Sequence, residues 1–296
     1  MWDYNSVDMW ILTALLSALF AGVTSILVKL GVKNTDSDVA TALRTGVVLV
    51  FAVLMTLIVG SFPTISAITV KEWIFLILSG VMTGASWICY FRALSTGDVN
   101  KVAPIDKSSA PLTALIAIVV FSETHRLWLK LISIAVIFIG TVMMIEKKDV
   151  ERAEGKKSWF IYAVCSAVFA SLTSVFAKIG LKNVESNLGT TIRTAVVLII
   201  AWAIVFARKK TADIKTINKK ELLFILLSGI ATGASWLCYY NAVKTGVLSV
   251  VVPIDKLSVL ITVAFSTVVL KEKLKPKAWV GLSLIVVFTI IMALFC

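Results

Sequence analysis

Charge is scarce in this 296-residue chain: only 16% of residues are Asp, Glu, Lys or Arg, while 59% are hydrophobic and the mean hydropathy is +0.96. A water-facing surface cannot be assembled from that balance, which excludes a soluble enzyme or a nucleic-acid-binding domain as the main body. The single histidine, His125, lies in a connection, and the four cysteines (89, 165, 238, 296) include no C-x-x-C pair, so neither zinc nor a disulfide framework is expected. No H-E-x-x-H, G-x-S-x-G or Walker A loop occurs, so the chain carries no recognisable enzyme centre, no cofactor site and no ATP-driven engine. The formal charge of +12 comes mostly from lysines and arginines grouped between apolar runs, where they act as topology signals. At the N-terminus, the acidic MWDYNSVD and the span-length apolar run after it argue for a retained first helix rather than a cleaved signal.

Apolar stretches of about 20 residues each suffice to cross a bilayer as helices. The sequence predicts ten of them, at 9–31, 39–60, 73–95, 100–121, 127–145, 158–181, 188–207, 221–243, 249–270 and 278–295. Continuous apolarity without two-residue alternation selects helices over a barrel, so the fold class is an all-α integral membrane protein in a lipid bilayer. A charged linker, EKKDVERAEGKK at 146–157, separates a first five-helix repeat (1–145) from a second (158–296).

Sliding the sequence by 149 positions lays one half on the other without a gap. SALFAGVTSILVKLGVKN (17–34) falls on SAVFASLTSVFAKIGLKN (166–183), LSGVMTGASWICYFRA (78–93) on LSGIATGASWLCYYNA (227–242), and VAPIDKSSAPLTA (102–114) on VVPIDKLSVLITV (251–263). Five spans per unit is an odd number, so the second unit is expected to enter the membrane from the opposite side, as inverted repeats.

Two such units, each with a Gly/Ser/Trp-rich third helix, a polar-interrupted fourth helix and a glutamate just after it (Glu123 and Glu272), resemble the EamA-type transporters of the drug/metabolite transporter superfamily. The resemblance implies a central cavity lined by spans 1, 3, 4, 6, 8 and 9 that is exposed to each side in turn, in a superfamily that includes exporters of amino acids and other metabolites, drug exporters and sugar-nucleotide carriers.

Within the spans, P-I-D-K occurs twice, bringing Asp106 with Lys107 and Asp255 with Lys256. Ionisable groups inside a membrane are costly unless paired or wetted, which makes them candidates for a substrate site; the competing reading is a structural ion pair or a snorkelling lysine. Neighbours on a helix point about 100° apart, so each charge is expected to find its partner on another helix. Ser109, Ala110 and Thr113, with Ser258, Val259 and Thr262, continue the aspartate face as packing or cavity wall. Gly80 with Gly84 and Gly229 with Gly233 have the spacing for close helix approach. One turn on, Ser86, Trp87 and Tyr90, and Ser235, Trp236 and Tyr239, lie near mid-span and are candidate substrate contacts.

Arg44 and Arg193 are equivalent intramembrane arginines, read as gating or ion-pair residues that pair with Asp106 and Asp255. Lys29 and Lys178 are expected to snorkel, and Arg92, opposite Asn241 in the repeat, to mark an asymmetric site or touch headgroups. Glu123 and Glu272 could cap a loop or line an entrance.

The expected function is secondary transport of a small polar or amphipathic metabolite, an amino acid or related carboxylate first, with protons or another ion as the coupling partner. Intramembrane cations outnumber the two aspartates, which favours a ligand carrying a carboxylate or phosphate. The alternatives are an organic-cation carrier, with the aspartates and tryptophans as its site, and a non-transporting scaffold or receptor. Lysine and arginine concentrate in the connections following spans 1, 3, 5, 7 and 9, which places those connections in the cytoplasm and both termini outside. The expected location is the cytoplasmic membrane of a prokaryote; oligomeric state is not legible.

Overall fold

The computed structural model describes residues 4–32, 34–96, 99–145, 158–271 and 274–296, so the 146–157 linker, Lys33, Glu272 and Lys273 lie outside the described residues. Among the described residues, twelve α-helices make ten stretches long and apolar enough to span a membrane: α1 Tyr4–Gly31, α2 Ser37–Val59, α3 Val70–Thr96, α4 Val99–Lys107, α5 Ser109–Val120, α6 Leu127–Met144, α7 Ser158–Gly180, α8 Ser186–Ala207, α9 Lys219–Thr245, α10 Leu248–Lys256, α11 Ser258–Val268 and α12 Pro276–Phe295. No strand occurs among the described residues. The spans agree with the expected ones to within a few residues, because the hydropathic runs fix where backbone groups must satisfy themselves.

Spans four and nine are each two helices rather than one. Pro104 and Pro253 lie inside α4 and α10, where the missing N–H and the ring clash weaken the turn before them. Each helix then stops at the P-I-D-K lysine, and a single residue, Ser108 or Leu257, separates it from α5 or α11.

The two halves interlock. The α1 helix packs along α9, α3 along α7, and α2 along α8, so each of these interfaces joins one half to the other. Glycines allow the closest approaches. A Cβ on Gly80 would lie 2.8 Å from the Arg193 carbonyl oxygen and 2.8 Å from Val196 Cβ, and a Cβ on Gly229 would lie 2.6 Å from Val47 Cβ. The small-residue spacing therefore serves α3 on α8 and α9 on α2, and the sites are structural.

Polar clamps fasten the helix ends. Asp36 caps α2, and Lys210 at the end of α8 bonds Asp36 at 2.5 Å and the buried Asp38 at 2.9 Å, with Arg208 2.9 Å from Asp38. Burial raises the Asp36 pKa, but the bonds from Lys210 and from the backbone of Asp38 and Val39 outweigh it and leave the carboxyl below its usual value. Burial likewise disfavours charged Lys210, and the bonds and charges of Asp36 and Asp38 overcome it, holding the ammonium above its usual pKa. Glu221, at the start of α9, accepts from Asn34 N and Nδ2 and from Thr35 N and Oγ1; its repeat counterpart Glu72 accepts from Asn183 Nδ2 at 2.8 Å.

Gly80→Ala should destabilise the protein by about 1–3 kcal/mol, because the new methyl overlaps backbone that cannot yield. Gly46→Ala, whose Cβ would meet only Leu198 Cδ1 at 3.9 Å, should be neutral or stabilising. Thermal unfolding in detergent checks the pair: a lower midpoint for the first and an unchanged or higher one for the second.

Candidate functional site

At the centre, the P-I-D-K aspartates bond serines of the opposite half. Ser17 Oγ of α1 donates to Asp255 Oδ1 at 2.8 Å and lies 3.3 Å from Ser235 Oγ, while Ser235 donates to the Ser17 carbonyl at 3.1 Å. The repeat equivalents match: Ser166 Oγ of α7 donates to Asp106 Oδ1 at 3.1 Å and lies 3.2 Å from Ser86 Oγ, and Ser86 donates to the Ser166 carbonyl at 3.1 Å. Two serine–serine–aspartate clusters thus join α1, α9 and α10 on one side and α7, α3 and α4 on the other. A mid-span serine contributes little to a hydropathy profile, so Ser17 and Ser166 became visible as partners only in three dimensions.

The expected pairing of Arg44 and Arg193 with the aspartates does not occur among the described residues. Asp106 and Asp255 instead approach their own neighbours, Lys107 at 4.0 Å and Lys256 at 3.7 Å. A lysine at the last turn of a broken helix can fold its long stem back, which corrects the expectation that adjacent charges cannot meet.

A central cavity of about 280 Å³ is lined by Ser86, Trp87, Ser235, Trp236, Tyr239, Asp255 and Lys256 from the expected set, together with Thr83, Thr173, Arg193 and Tyr240. Asp106 and Lys107 line a second cleft of about 430 Å³, which runs from the helix breaks past Ser258 and Thr262 to Met144 and Ile145 at the linker end of α6. Lys256 borders both. Tyr90 lies in neither cavity; it packs against the cluster of Ala93, Val102 and Ala163 and makes an edge contact with Phe91. Tyr239 shares a hydrogen bond with Ser174 at 2.9 Å and sits edge-on to Tyr240 with centroids 5.0 Å apart.

The two arginines part company. Arg193 is 1% exposed and faces the central cavity, whereas Arg44 lines a separate pocket of about 280 Å³ with Thr35, Ser37 and Ser228. Asn241, the counterpart of Arg92, donates to Ser186 Oγ at 3.1 Å in the helix scaffold.

A further polar cluster ties the two halves together at the start of α10. Glu123 accepts from the Leu248 and Ser249 amides at 2.9 and 2.8 Å, so it caps α10 from the other half of the molecule. Lys178 lies 3.4 Å from the same carboxylate and bonds the Gly246 carbonyl at 2.5 Å, while the buried Lys130 bonds the Glu123 carbonyl at 2.9 Å. Lys178 therefore does not snorkel; it is held in a cluster. Lys29 bonds Ser266 Oγ at 3.0 Å. Beneath the clamp, α5 packs on α10 within the main apolar core, which includes Ala114, Ile118, Leu248, Val251 and Ile254.

An integral membrane protein of two similar five-helix units, enclosing a small polar and aromatic cavity at their junction, has the construction of a membrane carrier. The sequence pattern of the EamA-like transporter family matches residues 8–146 and again 157–294, and the chain belongs to that family. It is 42% identical over 139 residues to an uncharacterized transporter from the cobO 3′ region of a Sinorhizobium species, a match covering 47% of this chain and 99% of that one. An uncharacterized protein of Methanocaldococcus jannaschii is 30% identical over 134 residues, 45% of this chain and 95% of that one. A solved crystal structure shares the fold with a TM-score of 0.72 and 18% identity, covering 98% of this chain and 97% of the other.

Glu123→Gln should loosen the packing around the start of α10, since charged hydrogen bonds of this kind contribute about 1.5–3 kcal/mol each. With the native cysteines replaced, a cysteine at Val251, fully buried here, should be alkylated at least about tenfold faster in the Glu123→Gln background. Equal rates would show that the clamp does not tighten this packing.

Proposed function

We propose that the protein is a secondary active exporter of a small polar or amphipathic metabolite, an amino acid or related carboxylate, working by alternating access between two inverted repeats in the cytoplasmic membrane of a prokaryote. The observation that carries this reading is the central cavity. It is built from both halves and is continued, through Lys256, by the cleft that reaches the linker end of α6, while the Glu123 clamp holds the start of α10, the helix that carries Asp255 and Lys256. A cavity near 280 Å³ suits a molecule of amino-acid size, and its mix of indole faces, hydroxyls and charges suits one with both apolar and ionic parts. No nucleotide-driven engine is legible in the chain, so an ion or solute gradient drives it, with protons the first candidate because Asp106 and Asp255 lie beside the path.

If the basic connections are cytoplasmic, the cleft opens to the cytoplasm and the Glu123 clamp lies toward the outer side, which is the loading posture of an exporter. A cysteine at Gly155 in the linker, in a chain without its native cysteines, should resist an impermeant maleimide in intact cells and react after permeabilisation. Ready labelling in intact cells would reverse the orientation and, with it, the direction of loading.

Proteoliposomes containing the purified chain should exchange radiolabelled amino acids from a complete mixture, and simple quaternary ammonium ions should not compete. Asp106→Asn and Asp255→Asn should each lower flux by about tenfold or more with insertion retained, through loss of a proton site or of the partner of a buried cation. Full flux in both variants would reduce the aspartates to scaffold. Flux of quaternary ammonium alone would establish the organic-cation reading, and no flux of any compound would favour a scaffold or receptor.

A further inference from the structure

We infer that Arg193 is the anion anchor of the central cavity and takes the carboxylate of the transported molecule, an inference that rests on the carrier reading above. A guanidinium has five N–H donors in a fixed plane. Here Nε bonds Ser79 Oγ at 3.1 Å and Nη2 bonds Thr83 Oγ1 at 3.1 Å, while Nη1, fully buried, has no hydrogen-bond partner. The plane is held on its face by Tyr240, with Cζ 3.9 Å from the ring centroid, and by Trp236 at 5.5 Å. Two hydroxyls and two rings therefore orient the group, and Nη1 is left without a partner in a residue that lines the cavity.

The charge balance points the same way. Arg193 forms no ion pair among the described residues, and cation–π contacts offset only part of the cost of a buried cation. Lys256 in the same cavity already faces Asp255 at 3.7 Å. That leaves one positive charge in excess, which a single carboxylate neutralises, and an oriented arginine edge accepts a carboxylate in the forked geometry that a lysine cannot reproduce.

The repeat supplies an internal contrast. Arg44, at the equivalent place in the first half, lines a different pocket, and the residue equivalent to Tyr240 is Phe91, which lies under Arg208 with Cζ 5.4 Å from its ring. The anchor therefore belongs to one half, so a bound molecule has a defined orientation.

Thermal stabilisation of the full-length protein in detergent tests the assignment with matched probes: L-leucine and L-phenylalanine, the same acids without the amine (isocaproate and hydrocinnamate), and their amides without the carboxylate (leucinamide and phenylalaninamide). At least one compound carrying a carboxylate should raise the melting midpoint, with its amide partner inert, and the deaminated acids show whether the ammonium matters. Arg193→Gln should weaken the best acid by about 50-fold or more, Arg193→Lys by about tenfold, and Lys256→Gln by several-fold less than Arg193→Gln. Ligand-free melting and gel filtration report folding; if Arg193→Gln does not fold, the Arg193→Lys value decides, and a loss below about threefold counts against the anchor. Amides binding as well as acids, acids bound undiminished by Arg193→Gln, or Lys256→Gln proving the more damaging change would each overturn the inference. So would a wild-type protein that binds none of the acids, yet flux of other solutes in proteoliposomes would leave the carrier reading standing, and the two failures are thereby separate.

Discussion

Hydrocarbon supplies no hydrogen bonds, so a carboxylate placed at mid-membrane must find its donors within the protein, and Asp106 and Asp255 find theirs across the junction of the two halves. This requirement organises the rest of the molecule. Ser17 can reach Asp255, and Ser166 can reach Asp106, because α1 lies along α9 and α7 along α3 with the small serines facing each other. Lys178 with Glu123, Arg208 and Lys210 with the two aspartates of α2, and Asn34 with Glu221 follow the same plan, each taking one member from each half. A half on its own would leave these charges unmet, which makes the pair of repeats a single energetic unit despite the linker between them.

Such an arrangement also suits motion. The contacts that join the halves at mid-membrane are mostly hydroxyl bonds at 2.8–3.3 Å, contributing about 0.5–1.5 kcal/mol net between serines and about 1.5–3 kcal/mol where a serine meets an aspartate, small enough to be exchanged one at a time. Breaks in spans four and nine add short, reorientable segments beside the cavity. Glu123 acts on one of these directly: by accepting the first amides of α10 it couples the position of a loop in one half to the orientation of a half-helix in the other.

Most of the architecture was legible in the sequence, since the spans follow from apolar length, the doubling from a gapless self-match, and the close helix contacts from the glycine spacing. The candidate site was legible as a set of residue types and less so as a set of neighbours. Seven expected residues line one cavity, but Asp106 and Lys107 face another, and Tyr90 packs into the scaffold, because the rotation of a helix about its axis leaves little trace in a profile that is apolar on every side. The role assigned to Arg193 changed for a related reason. Electroneutrality suggests a carboxylate partner, but the fold gave it hydroxyls and aromatic faces, partners that carry no charge by which a sequence would reveal them.

Because the repeats share their motifs, the differences within those motifs are informative. A symmetric pair of units would present the same chemistry to the cavity from both sides, and a ligand could bind in either of two orientations. The first unit has Phe91 and Arg92 where the second has Tyr240 and Asn241, and the equivalent arginines Arg44 and Arg193 line different cavities. Arg193 gains a ring 3.9 Å away that stabilises its charge without neutralising it, so the positive field in the cavity survives. Arg44 has Thr35, Ser37 and Ser228 around it, near the Glu221 cluster at the ends of the helices. The helix scaffold is thus alike in the two halves, and the polar groups around the two arginines are not.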